Sequence, residues 1–201
     1  MSGPGFRVPP GRAGRLWLDR RLGAARRGAD LLDRKLHILQ AELTVRQSAA
    51  AAASADWDRC RVDADLWLLR ASLLGGQRAM RLSTDGALAE VTVTYTDTMG
   101  AHHPDGASCV IPASGGWDSP VIAAVRQAHR AALTAAVRQA AAAEALRVIQ
   151  TETAATRYRL RAIRKRWIPR LEQAMADITL AIEEQELGDA ARLRLASVPG
   201  R

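Results

Sequence analysis

Apolar residues recur along this chain with the spacing of a coiled-coil helix. Stepping alternately by four and three from Leu18 gives Leu18, Leu22, Ala25, Ala29, Leu32, Leu36, Leu39, Leu43, Arg46, Ala50, Ala53, Trp57, Cys60, Ala64, Trp67, Ala71 and Leu74. Sixteen of the seventeen are apolar, and Arg46 is the exception. The whole chain is 48% apolar, so an unpatterned stretch would supply about half as many. A sustained heptad places one seam along a helix and drives a left-handed supercoil with a partner. No proline lies between Gly11 and Pro104. The pattern therefore predicts one helix over 12–74, roughly 95 Å long at 1.5 Å per residue. A helix of that length needs a partner of similar length.

The C-terminal half provides it. Ser119-Pro120, preceded by Trp117-Asp118, reads as a helix start with a polar cap and an early proline. A second seam follows through Val121, Val125, Ala128, Ala132, Ala135, Gln139, Ala142, Leu146, Ile149, Thr153, Thr156, Leu160, Ile163 and Trp167. Beyond Pro169 it resumes in a shifted phase at Leu171, Met175, Ile178 and Ile182. A proline inside a helix costs about 3 kcal/mol and bends it. A local bend is expected there, with the helix running over 119–195.

Residues 75–118 differ in texture. Glycine recurs at 75, 76, 86, 100, 106, 115 and 116. Leu88–Tyr95 alternates and is β-branched, and Ser108–Ile111 reads as a second strand. The prediction is a hairpin over about 88–111, its polar loop holding His102, His103 and Pro104. Segments 1–11 and 196–201 are expected to be disordered. The fold class is thus dominated by helix: a long antiparallel two-helix coiled coil with a small hairpin-bearing insert.

Composition narrows the function classes. The chain has 201 residues, eight aromatics and a net charge of +8. Only Lys35 and Lys165 are lysine; the other 27 basic residues are arginine. So few aromatics do not suit the packed interior of a globular enzyme. Arginine binds carboxylates and phosphates in a bidentate fork. Acidic protein, nucleic acid and an anionic membrane surface are the partners this charge admits. An Arg-rich coiled-coil scaffold for nucleic acid or membrane is the competing reading. No run of about 18 apolar residues is present, so no span is predicted. Met1–Gly11 lacks the apolar core of a signal peptide, and a cytoplasmic protein is expected.

No catalytic constellation emerges. Gly11-Arg12-Ala13-Gly14 lacks the lysine and the preceding strand of a phosphate loop. His102, His103, Asp105 and Cys109 lack tetrahedral ligand spacing and read as a solvated loop. Cys60 sits on the seam as a small core residue. No catalytic residue, cofactor or metal is expected. The charge has one dense centre: Arg157–Arg170 holds seven basic residues and no acidic one. Arg12–Lys35 adds eight basic residues against three acidic.

These residues carry a family resemblance. Thr156-Arg157-Tyr158-Arg159-Leu160-Arg161-Ala162-Ile163 followed by Ile168-Pro169-Arg170-Leu171-Glu172 resembles the C-terminal motif of the D subunit of V-type ATPases and ATP synthases. Ile182-Glu183-Glu184-Gln185-Glu186 and Arg192-Leu193 are similar to later elements of the motif. Arg21-Leu22, Ala25, Gly28, Leu31-Leu32 and Lys35 resemble its N-terminal motif. The family's Asn is Arg161 here, its following Glu is Arg164, and the step after Lys35 reads Leu36-His37.

The resemblance implies a non-catalytic central-stalk rotor subunit, peripheral at the cytoplasmic face of a membrane. Its implied partners are the hexamer of A and B subunits, the F subunit and the socket subunit (C/d) above the membrane ring. Neither nucleic acid nor a direct membrane span is implied. ATP turnover in the hexamer would be coupled to rotation and to proton or sodium-ion transport. Candidate contacts to the A/B hexamer are Arg12, Arg15, Arg20, Arg21, Arg192 and Arg194 at one level of the shaft. Arg157, Arg159, Arg164, Lys165, Arg166 and Arg170 are the candidates at another.

Overall fold

The computed structural model describes residues 8–82, 86, 88–113 and 119–196, without side chains at 75–80, 82, 195 and 196. The elements are α1 (Gly11–Leu82), β1 (Glu90–Thr98), β2 (Ala101–Val110), α2 (Pro120–Ala162), a π turn (Ile163–Trp167) and α3 (Ile168–Ala196). The expected segments 1–11 and 196–201 fall mostly outside the described residues, as do Trp117 and Asp118. Two long helices bracket a two-stranded antiparallel sheet in chain order. α1 continues past the expected end at Leu74 to Leu82. Each glycine in Gly75-Gly76 costs about 1 kcal/mol of helix propensity relative to Ala, but neither clashes with a helix as proline would.

The chain divides into two compact units: residues 1–36 with 155–201, and residues 37–154. In the first, Leu18 and Leu22 of α1 pack on Leu171, with Trp167, Met175 and Ile178 around them. Further along α1, Ala29 and Leu36 meet Leu160, flanked by Leu32, Ile163 and Ile168. Ascending α1 positions meet descending C-terminal ones, so the pair is antiparallel. Each fully buried Leu contributes roughly 1.5–3 kcal/mol and each Ala far less.

Gly14 lies where the chain closes on itself. A β-carbon there would collide with the Pro9 carbonyl oxygen and the Ile178 Cδ1 atom. Any larger residue would displace the segment entering α1.

Pro169 is taken up without ending the helix. The Ile168 N–H bonds the carbonyl oxygen of Ile163, the five-residue spacing of a π turn. Two demands converge at this turn. Heptad stepping from Ile163 through Trp167 would next reach Arg170, Ala174, Asp177 and Ala181, yet Arg170, Asp177 and Ala181 are exposed. The buried or half-buried set is Leu171, Met175, Ile178 and Ile182, one residue later. A π turn inserts one residue into a helix, which is the phase shift the sequence displays. It also lengthens the turn that Pro169 would otherwise crowd.

In the second unit, Leu39 packs with Ile149 and with Ala101 of the hairpin, with Leu43 and Val148 at the margin. Ser119 caps α2: its hydroxyl oxygen accepts from the Ile122 N–H at 3.3 Å, and Pro120 follows it at the first helical position.

The hairpin differs from its sequence reading. Its strands run over 90–98 and 101–110, joined at Met99-Gly100. Both turn residues have positive φ, 51° and 81°, the signature of a two-residue type I′ turn. His102, His103 and Pro104 therefore lie in β2 and not in a loop. Pro104 is tolerated because, among the described residues, neither strand has a second neighbour, and an irregularity adjoins it.

Candidate functional site

The first unit holds the charge. Residues 1–36 and 155–201 contain 19 basic and nine acidic residues, net +10, whereas residues 37–154 contain ten and twelve, net −2. Arg12, Arg15, Arg20, Arg21, Arg192 and Arg194 are all exposed. Arg12 donates to Glu186 at 2.8 Å and Arg192 to Asp189 at 3.2 Å. The Arg21 guanidinium lies 4.7 Å from the centre of the Trp17 ring. Arg12 and Arg15 also rim an open groove of about 820 Å³, with Leu16, Leu22, Met175 and Ile182 among its apolar lining residues.

The second cluster is equally solvent-facing. Arg157, Arg159, Arg164, Lys165, Arg166 and Arg170 are exposed. Arg164 stands apart: its two terminal nitrogens meet the two Asp33 oxygens at 3.3 and 3.2 Å, a fork across the helix pair. Arg26 makes a similar bridge to Glu172 at 2.8 Å. Among the described residues Arg157, Arg161, Lys165, Arg166 and Arg170 form no ion pair. Five cations held without carboxylates around a π turn form a surface suited to an external acidic partner.

Most of the seam residues face inward. Leu18, Leu22, Leu36, Leu39, Ile149, Leu160, Leu171 and Ile182 are buried. Leu32, Leu43, Trp57, Trp67, Leu146, Ile163, Trp167 and Ile178 are half-buried. Leu74 is the exception, with 75% of its surface exposed. Among the described side chains the covered part of the seam ends at Ala71. Of the family-motif residues, Leu171 is buried, Ala162, Ile163 and Ile168 are half-buried, and Pro169 and Arg170 face solvent.

The second unit contains a junction that no sequence motif marked. Arg46, the one charged seam residue of α1, donates to Glu42 at 2.6 Å and to Asp105 of the hairpin at 3.1 Å. Its side chain is only 18% exposed. Partial burial works against its charge, but hydrogen bonds to Glu42 and Asp105 outweigh that, so its pKa is raised. Asp105 is available because of a β-bulge. Thr94 pairs with Gly106 and Tyr95 with Pro104, which leaves Asp105 as the extra residue. Bulges re-aim side chains, and this one turns a carboxylate toward α1.

Beside it His103 is completely buried. Its Nδ1 lies 3.0 Å from the Pro104 carbonyl oxygen, which can only accept. Nε2, 3.0 Å from the Thr98 hydroxyl, then accepts from it. His102 points away, stacked on Tyr95 at 4.9 Å with Nδ1 3.2 Å from Asp97. The expectation of a solvated histidine loop thus fails for His103, which is buried and hydrogen-bonded to both strands of the hairpin. The signal in the sequence was the single break in the seam at Arg46.

Among the described residues no cluster of three His, Cys, Asp or Glu could hold a metal ion. Among them, no helix is long and apolar enough to cross a membrane. A family model described as the D subunit of ATP synthase matches residues 16–197. Nothing among curated proteins matches the chain.

Proposed function

The chain belongs to the ATP synthase D-subunit family, that of V-type ATPases, and from that membership we propose that it is the central rotor shaft of its complex. The family role is that of a non-catalytic stalk subunit of a rotary ATPase. The match over residues 16–197 carries this reading. In the finer proposal, ATP turnover in a hexamer of A and B subunits drives rotation of this chain. The rotation passes through the socket subunit (C/d) to a membrane ring and its ion transport. The complex would sit at the cytoplasmic face, and the hairpin insert would contact the F subunit or regulate hydrolysis.

Physical features support the proposal. A shaft must resist twisting, and two helices interlocked along a heptad seam do so better than one. It must also turn past successive stator positions without settling in one. Exposed arginine–carboxylate contacts are worth about 0–1 kcal/mol each and exchange readily. The five cations around the π turn would meet acidic loops of the hexamer. Arg12, Arg15, Arg20, Arg21, Arg192 and Arg194 would lie at another level of the cavity.

The test is charge reversal at Lys165, Arg166 and Arg170 in a reconstituted complex. Arg164 is left in place because its loss would also break the Asp33 fork. Weakened hexamer binding or uncoupled ATPase activity is expected. Unchanged assembly and coupling would remove these cations from the interface. Deleting 88–111 with both F-subunit affinity and ATP turnover unchanged would remove the hairpin from both roles.

A further inference from the structure

The second unit carries an apolar seam that no described residue covers. Stepping by three and four from Ile38 to Leu73 along α1 gives eleven positions, nine of them apolar, and all eleven are exposed. Ser48 and Arg59 are the exceptions. The large members are Ile38, Val45, Val62, Leu66, Leu69 and Leu73, of which Leu73 is 78% exposed. At about 100° per residue this stripe lies roughly opposite the covered seam through Leu39, Leu43, Trp57 and Ala64. Scattered exposed leucines are ordinary, but five heptads in register are not. A helix with heptads on two faces is suited to lie between two helices, and α1 lacks the second among the described residues.

The flanks of the stripe specify the partner's charge. The positions beside its lower half hold Asp56, Asp58, Asp63 and Asp65, and the basic residue among these flanking positions is Arg70. Asp63 forms no ion pair among the described residues, while Asp56 meets Arg59 at 2.7 Å and Asp58 and Asp65 share Arg61 at 3.9 and 3.5 Å, exposed contacts that a partner's cations can exchange. In coiled coils the residues flanking the seam select the partner by opposite charge. A second copy of this chain fits poorly. Pairing stripe on stripe would set aspartates against aspartates. The chain's own basic-flanked heptad through Leu160, Ile163 and Trp167 is already packed against α1. We propose that the outer face of α1 between Ile38 and Leu73 is a docking seam for an amphipathic helix of another protein, with an apolar heptad flanked by Lys or Arg. The inference does not depend on the rotor reading.

The test uses the full chain and a synthetic helical peptide of roughly four heptads, with Leu and Ile in its seam and Lys at the flanking positions. A twin peptide carries Glu at those flanks. Fluorescence anisotropy should show the Lys peptide binding at least tenfold more tightly than its twin, and less tightly as salt rises. Leu66→Glu with Leu69→Glu should abolish binding, with far-UV circular dichroism unchanged. Leu187→Glu, at an exposed leucine of α3, should have no effect. Equal binding of the two peptides, no binding of either, or binding that survives the double substitution overturns the proposal. So does a concentration-dependent homodimer in sedimentation that the double substitution dissolves, because a second copy would then be the occupant.

Discussion

The π turn before Pro169 gives the sharpest thermodynamic prediction. Deleting Lys165, an exposed residue within the turn, removes the one inserted residue and allows a continuous α-helix. Leu171, Met175, Ile178 and Ile182 would then fall into strict heptad phase, with the half-buried Ile168 taking the seam position that Trp167 leaves. Pro169, however, would sit inside a regular α-helix, lacking its N–H and pressing on the carbonyl four residues earlier. That costs about 3 kcal/mol. Pro169→Ala alone should change stability by less than about 1 kcal/mol, because the π turn already relieves the proline. The deletion combined with Pro169→Ala should recover at least 2 of the 3 kcal/mol, roughly. Urea unfolding followed by far-UV circular dichroism and tryptophan fluorescence measures the cycle. A deletion that is harmless on its own would refute the role given to Pro169. A double variant as unstable as the deletion would refute the phase argument.

The other substitutions probe separate junctions. Arg46→Ala should cost about 1–3 kcal/mol, because it leaves the mostly buried Glu42 carboxylate without its partner; Asp105→Ala, at a more exposed group, should cost about 0–1 kcal/mol. Hydrogen exchange should quicken at hairpin amides in both, and unchanged hairpin protection in Arg46→Ala would discard the junction. Met99→Asn should stabilise the hairpin by about 0.5–1 kcal/mol, since Asn accepts the left-handed conformation that Met holds at φ 51°; a lower melting temperature would speak against the type I′ turn. Gly14→Ala should lower the melting temperature by forcing Pro9 or Ile178 aside, and a melting temperature unchanged or raised would mean that the approach of Pro9 is not required.

The long helices were legible in the sequence because a heptad repeat is redundant: one wrong residue such as Arg46 does not break it. Their ends were less so. Gly75-Gly76 looked like a terminus, yet two glycines lower propensity without forbidding helix, and α1 runs on to Leu82. The hairpin existed where alternation placed it, but its turn was hidden. Met99-Gly100 lacks the Asn-Gly or Asp-Gly pair that marks a type I′ turn, while His102-His103-Pro104 looked like loop residues. Proline in a strand becomes readable only once the sheet is known to have two strands and a bulge. The shifted phase after Pro169 was visible in the residues, whereas its mechanism needed the backbone. For the basic clusters, position along the helices could be read from residue order, and only coordinates separate Arg164, forked to Asp33, from its neighbours.

The most direct test of the rotor proposal is single-molecule rotation. A bead attached through Cys109 of a Cys60→Ser chain, in a surface-fixed complex with the A and B subunits, is observed as ATP is added. The account predicts one copy of this chain per hexamer and unidirectional turning that stops when ATP is removed. A chain that binds outside the hexamer, binds in several copies, or stays still while ATP is hydrolysed would contradict it.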